Sequence, residues 1–551
     1  MKKIIFLLIA FSTTYSIGQT NYKITYTKSS NGSVIENQDL VVVFSSEKES
    51  ILTSENILKG KATFPYEQSW IKGMNYFQVA NLKANQTIFT KDSTSISKQS
   101  FEFSNEKRQI QGFVCKKAKT IINSNTIELW YTTDVKVKGA PTILGQNLGL
   151  VLEMVRNGNF VVTATKVEKV KQIPSLNIQE KSKKTIDLIT YRDLLWKSRF
   201  TTISVFKEEI INFSDASKSN DSILRFANGT IILRKIKFPE IAKGSQVFVD
   251  LTEQSNGDAY DRTGSVFMIP MDKKTSFLDG LNNGAKTLPI FENGNGKQYQ
   301  GIVADENYSP LLELMRFFTP FGIKQYNHIQ LKNKTWEEQV NYRQDISELT
   351  SAFSGKEIYL GIFVGNYDKG GHKVSMNITI HPEENGVAKS TTAVPLFNTT
   401  NVMEMAGQEY GTLFNSEKGL TLTFTLNKDL KKARLRYITT GHGGWENGDE
   451  FVPKKNTIYL DEKEAFHFTP WREDCGSYRL YNPASGNFPN GLSSSDYSRS
   501  NWCPGMVTNP VYIDLGELKA GIHTLQVKIP QGAPEGTSFS AWNVSGVLIG
   551  E

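Results

Sequence analysis

The run Leu420–Leu426 (LTLTFTL) alternates apolar and hydroxyl side chains without a break. Strict alternation needs one buried and one wet face, so it predicts a β-strand on a sheet with a single core side. A helix would scatter those leucines around its axis. Similar short runs recur along the chain: YKITYT (Tyr22–Thr27), LVVVFS (Leu40–Ser45), FTTISVF (Phe200–Phe206), QVFVDLT (Gln246–Thr252), IYLGIFV (Ile358–Val364) and TLQVKI (Thr524–Ile529). Gly, Pro and Asn turns separate them. Leu150–Val155 and Phe160–Val167 flank Asn157-Gly158, a hairpin signal. The chain is expected to be all-β, with two jelly-roll sandwiches preceded by an antiparallel β domain.

At 551 residues the chain exceeds what one core usually serves. Three blocks are predicted: 19–173, 198–382 and 383–551. Between the first two lies a Lys-rich linker, 174–197. Its second half reads equally as a helix, because Leu188, Tyr191, Leu194 and Leu195 would share a face.

Lys2 and Lys3 precede an apolar stretch, Ile4–Phe11, and small residues Ser16–Gly18. That is the pattern of a secretory signal, residues 1–18, too short to span a bilayer. The mature chain is expected to begin near Gln19 and to be secreted or periplasmic. No later run is long enough for a transmembrane helix. The net charge of +7 is small and scattered, which argues against nucleic-acid partners.

In an exported chain, two of three cysteines can pair. Cys475 and Cys503 share one polar, Gly- and Ser-rich stretch and are the favoured pair. A loop of that size stabilises by roughly 3 kcal/mol in the chain-entropy model. Cys115, flanked by Phe113 and Val114, reads as a buried free thiol.

Familiar catalytic patterns are missing. The histidines (328, 372, 381, 442, 467 and 523) never fall at HExxH spacing, and no GxSxG occurs. Gly294-Asn295-Gly296-Lys297 lacks the remaining residues of a phosphate loop and reads as a turn. Neither a metal nor an organic cofactor is expected.

Carboxylates and arginines in turns remain. Asp258 and Asp261 stand three apart beside Arg262, between two strand-like runs. They can converge on one point, although local composition alone favours a solvated hairpin. In the last block, Gly441–Trp445 leads to Asp449-Glu450, followed by Trp471-Arg472, Asp474-Cys475 and Arg499–Gly505. Indole faces can stack on pyranose rings while charged groups bind hydroxyls, so these loops suit sugar recognition. A core role for the tryptophans is the competing reading.

At these residues the sequence resembles the peptide-N-glycosidase F family, over about 198–551. The family's Asp-x-x-Asp-Arg turn is matched by Asp258–Arg262. Its glutamate ahead of a Thr-Ile strand is matched by Glu450 ahead of Thr457-Ile458. Its Arg-x-x-Trp-Cys-Pro-Gly motif is matched by Arg499–Gly505, whose Cys503 the family joins to an upstream cysteine, here Cys475. Arg316–Pro320 and Ile346–Leu349 are similar to framework segments. One departure stands out: Gly361 and Phe363 occupy the strand where the family carries a second glutamate. The first block resembles the GLPGLI family at Gly112–Ala118, Trp130–Thr132 and Leu148–Glu153, although the name-giving Gly-Leu-Pro is replaced by Gln146-Asn147-Leu148. That family implies no defined chemistry.

The resemblance implies hydrolysis of the amide between asparagine and the innermost N-acetylglucosamine of N-linked glycans. Asp261 would activate water, with Arg262 holding its carboxylate and keeping it ionised. Glu450 would contact substrate or bridge to Asp261. Arg499 would favour the oxyanion or anchor Glu450. Asp258, Tyr260, Arg262, Trp445 and Trp502 would bind substrate. The expected partners are N-glycosylated proteins and peptides, met by a monomer. An endoglycosidase on the same glycans and a non-catalytic sugar-binding module are the alternatives.

Overall fold

A computed structural model describes residues 20–83, 86–174, 184–322, 331–383, 391–400, 410–444, 448–483, 492–534 and 539–551. The expected signal segment and Trp445 lie outside these residues. The chain is all-β and divides into two compact units, Met1–Arg199 and Phe200–Glu551.

The first unit is one antiparallel twelve-stranded sheet. Most neighbours are joined as hairpins. Strand Asn21–Ser30 is the exception, pairing in the middle of the sheet with Phe160–Val170 from the far end of the unit's sequence. The Asn157-Gly158 hairpin forms as expected, with both turn residues at positive φ (51° and 73°). Cys115 is a buried free thiol in this unit's core. Of the two readings of the linker, the helix is found: Leu188–Lys197 begins at Asp187, whose side chain accepts from the Ile189 and Thr190 amides. Its Tyr191 and Leu195 pack on Ala80, Leu82 and Ile88.

The second unit contains two sandwiches. In the first, a four-stranded sheet runs in the order Thr201–Ile211, His372–His381, Gln246–Ser255, Val340–Asp345. It faces a six-stranded sheet built around Glu357–Val364 and Thr263–Ile269. The second sandwich packs Thr392–Asn398, Ala541–Gly550, Leu430–His442 and Val511–Leu518 against Leu420–Leu426, Gly521–Lys528, Asn456–Leu460 and Lys463–Phe468.

Burial explains why Ile358–Val364 is a continuous apolar run rather than an alternating one. Leu360, Ile362 and Val364 face the first sandwich's core. Phe363, one position out of phase, joins Ile231, Leu233 and Phe267 in a cluster shared with Leu396, Tyr437 and Trp542 of the second sandwich. Both faces of Leu360–Val364 are therefore dry. Gly361 sits where a Cβ would lie 2.5 Å from both Leu233 and Phe267, so no acidic side chain fits there.

Two further links fix one sandwich against the other. Val507–Thr508 leaves the second and pairs with Arg316 and Phe317 at the edge of the first sheet. Arg316, fully buried, is neutralised by Glu313 at 2.8 Å. It also donates to Thr440 Oγ1 (3.1 Å), the Asn543 carbonyl (2.6 Å) and Thr400 Oγ1 (3.0 Å). A buried guanidinium needs such complete partnering to be tolerated.

Candidate functional site

The segment 256–262 carries Asp261. It is not a hairpin: it leaves Gln246–Ser255 of one sheet and enters Thr263–Ile269 of the other. Thr319 clamps its end. The Thr319 hydroxyl accepts from the Arg262 amide (2.8 Å) and donates to the Tyr260 carbonyl (3.1 Å), while the Thr319 amide donates to the Arg262 carbonyl (3.0 Å).

Asp258 closes the turn from inside. Its carboxylate accepts from Arg262 Nε at 2.7 Å and Nη2 at 3.2 Å, and from the Tyr260 amide at 3.1 Å. Behind it, His372 Nε2 lies 3.4 Å away, and His372 Nδ1 meets Glu253 at 2.8 Å. Glu253, His372 and Asp258 are all buried. Burial by itself would raise the Asp258 carboxyl, but hydrogen bonds from His372 and Arg262 outweigh it and hold the group at about 2. Burial likewise opposes charge on His372, yet hydrogen bonds to Asp258 and Glu253 push it up to about 9. The result is a row of alternating acidic and basic side chains, Glu253, His372, Asp258 and Arg262, the first three buried.

Two expectations are corrected here. Asp258 does not offer its carboxylate to substrate, because the group is buried and committed to Arg262 and His372. Arg262 holds Asp258 rather than Asp261. Within Asp258–Arg262 the exposed residue is Tyr260, with the Arg262 guanidinium 5.0 Å from its ring.

In the second sandwich, Glu450 follows Asp449. The buried Asp449 carboxylate accepts from Trp542 Nε1 (2.8 Å) and the Gly532 amide (2.9 Å). Its backbone is tied to Ser540 and Ser500. Three local glycines, Gly441, Gly443 and Gly448, serve close approach of chains. Gly443, at φ +120°, would drive a Cβ into the Phe539 carbonyl. Gly448 likewise abuts the Gly443 carbonyl.

Arg499 stands between the acids. Its backbone pairs with Arg472 in both directions (2.8 and 2.9 Å). Its guanidinium, 1% exposed, bonds Glu450 through Nη1 and lies 3.4 Å from Asp261 Oδ2 through Nη2. Ser494, unremarkable in sequence, accepts from Nη2 and donates to Asp261 Oδ2 at 3.3 Å. Asp261 and Glu450, with side chains 13% and 16% exposed, thus share one cation. Asp261, Glu450 and Arg499 are thereby brought together.

Burial is the largest influence on Asp261 and raises its carboxyl, although Arg499 and then Arg262 favour the ionised form. For Glu450, burial and then the charge on Asp261 outweigh Arg499 and push it up to about 7. Two acids so close titrate as a pair.

Trp502 lies beneath the cation. It is 3% exposed, stacks on Phe318 of the first sandwich at 4.2 Å, and donates to the Gly441 carbonyl at 2.9 Å. The Arg499 guanidinium rests 4.3 Å from its ring. Its faces are therefore taken by protein, which corrects the sugar-stacking expectation. His442 stacks beside it and is held neutral: burial, then Arg316 and Arg499, lower it to about 3.

The Cys475–Cys503 disulfide is formed, between Trp502 and the turn preceding Ser494. Among the described residues, no group of three or more His, Cys, Asp or Glu is placed to hold a metal ion. None of the described helices is long and apolar enough to cross a membrane.

An all-β double sandwich whose two halves contribute acids to one arginine defines a class of hydrolase-like scaffold, and the comparisons assign its family. Residues 202–380 match the model for peptide-N-glycosidase F, N terminal, and 409–549 match peptide-N-glycosidase F, C terminal. The first unit, at 24–193, matches the model for the N-glycanase peptide, N-terminal domain. Two crystal forms of PNGF-II are each 57% identical to this chain. One covers 96% of this chain and 99% of its own, at a TM-score of 0.89; the other covers 97% and 98%, at 0.86. No curated protein matches. The chain belongs to the peptide-N-glycosidase F family.

Proposed function

We propose that this protein hydrolyses the amide joining asparagine to the innermost N-acetylglucosamine of N-linked glycans. The observation that carries the reading is the meeting of Asp261 and Glu450, from different sandwiches, on the Arg499 guanidinium. An amide needs a general base for water and a cation near the developing oxyanion. Asp261 takes a proton from water as the water oxygen bonds to the amide carbon. The carbon–nitrogen bond then breaks and the nitrogen gains a proton, leaving aspartate in the peptide and a glycosylamine. The glycosylamine loses ammonia in water. Glu450, anchored by the buried Arg499, meets the carbonyl end, and the exposed Tyr260 offers a ring face to sugar.

Mass spectrometry of a treated glycopeptide tests this. Aspartate with no sugar attached is the expected product. One sugar retained on asparagine would identify an endoglycosidase, and binding without turnover a sugar-binding module. Export by the signal-like segment 1–18 belongs to the same reading, and a buried disulfide suits an oxidising compartment. N-terminal sequencing of the mature chain checks it, with Gln19 expected first.

A further inference from the structure

We propose that Ser494 is a positioning residue for Asp261, its single hydroxyl fixing which carboxylate oxygen is left to face the attacking water. This rests on the amidase reading above and extends it to a residue with no recognisable motif.

A hydroxyl has one hydrogen to give and lone pairs to accept with. Here the Arg499 Nη2–H occupies the acceptor side. The hydrogen is thereby directed to Asp261 Oδ2, 3.3 Å away. Arg499 Nη2 approaches the same oxygen at 3.4 Å. Both neighbours fall on Oδ2, and among the described residues no other side chain bonds Asp261. The Asp261 backbone amide also favours the carboxylate; none of the side-chain contacts falls on Oδ1, which is assigned the proton from water.

The surroundings hold Ser494 rigidly. It opens the turn Ser494–Asp496, whose capping box joins Ser493 to Asp496 in both directions. Ser493 N and Oγ each donate to Asp496 Oδ2 at 2.7 Å, and Arg479 grips Oδ1 at 2.6 Å. Ser494 is fully buried. Its neighbour Ser495 supplies an internal control: buried in the same turn, its hydroxyl has no partner among the described residues.

The charged groups acting on Asp261 are Arg499, Glu450 and, within its own turn, Arg262. The Ser494 hydrogen bond works with the arginines to favour the carboxylate, so its loss moves ionisation of Asp261 to higher pH.

The test compares S494A, S494T and S495A in the full-length protein, by kcat, KM, pH profile and melting temperature on a glycopeptide. For S494A, kcat falls about tenfold, the worth of one hydrogen bond to a charged group. KM stays within about twofold, and the acid limb of kcat/KM moves to higher pH. S494T keeps the hydroxyl and recovers most of the rate, while S495A behaves as wild type. An S494A enzyme with unchanged kcat and acid limb overturns the proposal. So does equal loss in S494A and S495A, which would assign the effect to packing of the turn. Failure of the wild type to release aspartate-bearing peptide would instead sink the amidase reading itself.

Discussion

Asp261 Oδ2 and Arg499 Nη2 lie 3.4 Å apart across the boundary between two sandwiches, and the same guanidinium bonds Glu450. The site exists only while both halves keep their register. Replacing Asp261 by Asn removes the base without changing its shape, so the rate should fall about 10²–10⁴-fold. Arg499→Lys should also be poorly tolerated, because an ammonium cannot span two acids and a serine in one plane. A loss of about 100-fold is expected. Initial rates on a glycopeptide, with melting temperature confirming folding, check both. Wild-type turnover by D261N removes Asp261 from the mechanism.

Burial sets the pH range. The Asp261 and Glu450 carboxyls are both raised, Glu450 to about 7. If ionised Asp261 is the base, the acid limb of kcat/KM lies above the ordinary carboxylate range rather than near pH 4. Glu450→Gln removes a negative neighbour and should move the acid limb to lower pH, opposite in sign to S494A. The stability consequence runs the other way. A carboxyl raised in the folded state contributes most below its unfolded value and loses that contribution as pH rises through its folded one. Wild type should therefore lose melting temperature between pH 5 and 8 relative to E450Q. Parallel melting curves for the two across that range would contradict the assignment.

Trp502 separates a structural from a binding role. Stacked on Phe318 and under Arg499, it should act through stability. Trp502→Ala is expected to cost about 3–5 kcal/mol, read in denaturant unfolding. Trp502→Phe should be milder. A sugar-stacking role would instead raise KM with stability intact.

Much of this was legible in the sequence because it was local. Alternating runs gave strands, and Asp261, Glu450 and Arg499 each sit in a compact pattern. Trp502 was misread because an indole near arginine and glycine suits either a sugar or the arginine itself, and only packing decides. Ser494 was invisible: it is one serine in a serine-rich loop, and its partner Asp261 lies 233 residues away. The Glu253–His372 pair did leave a trace. In Gln246–Ser255 the buried positions are Val247, Val249, Leu251 and Glu253, and in His372–His381 they begin with His372, Val374 and Met376. Parity alone placed an acid and a histidine inward on strands that prove to be adjacent.

That buried pair yields the last expectation. His372 lies between Glu253 and Asp258, and all three are dry. Its folded pKa of about 9 exceeds the ordinary 6.5. Its contribution is therefore full below about pH 6.5 and is lost as pH rises through 9. Asp258, depressed to about 2, contributes above its ordinary value of 3.8 and loses this only as pH falls toward 2. Between those limits the row holds the turn that carries Asp261. His372→Gln keeps hydrogen-bonding capacity but removes the cation, leaving two acids without it. A penalty of about 3–5 kcal/mol is expected, as for breaking a buried ion pair. Chemical denaturation of both proteins at pH 6 and pH 10 reads it directly. The gap between wild type and H372Q should be wide at pH 6 and narrow at pH 10, and an equal gap at both would show that His372 is neutral in the folded protein.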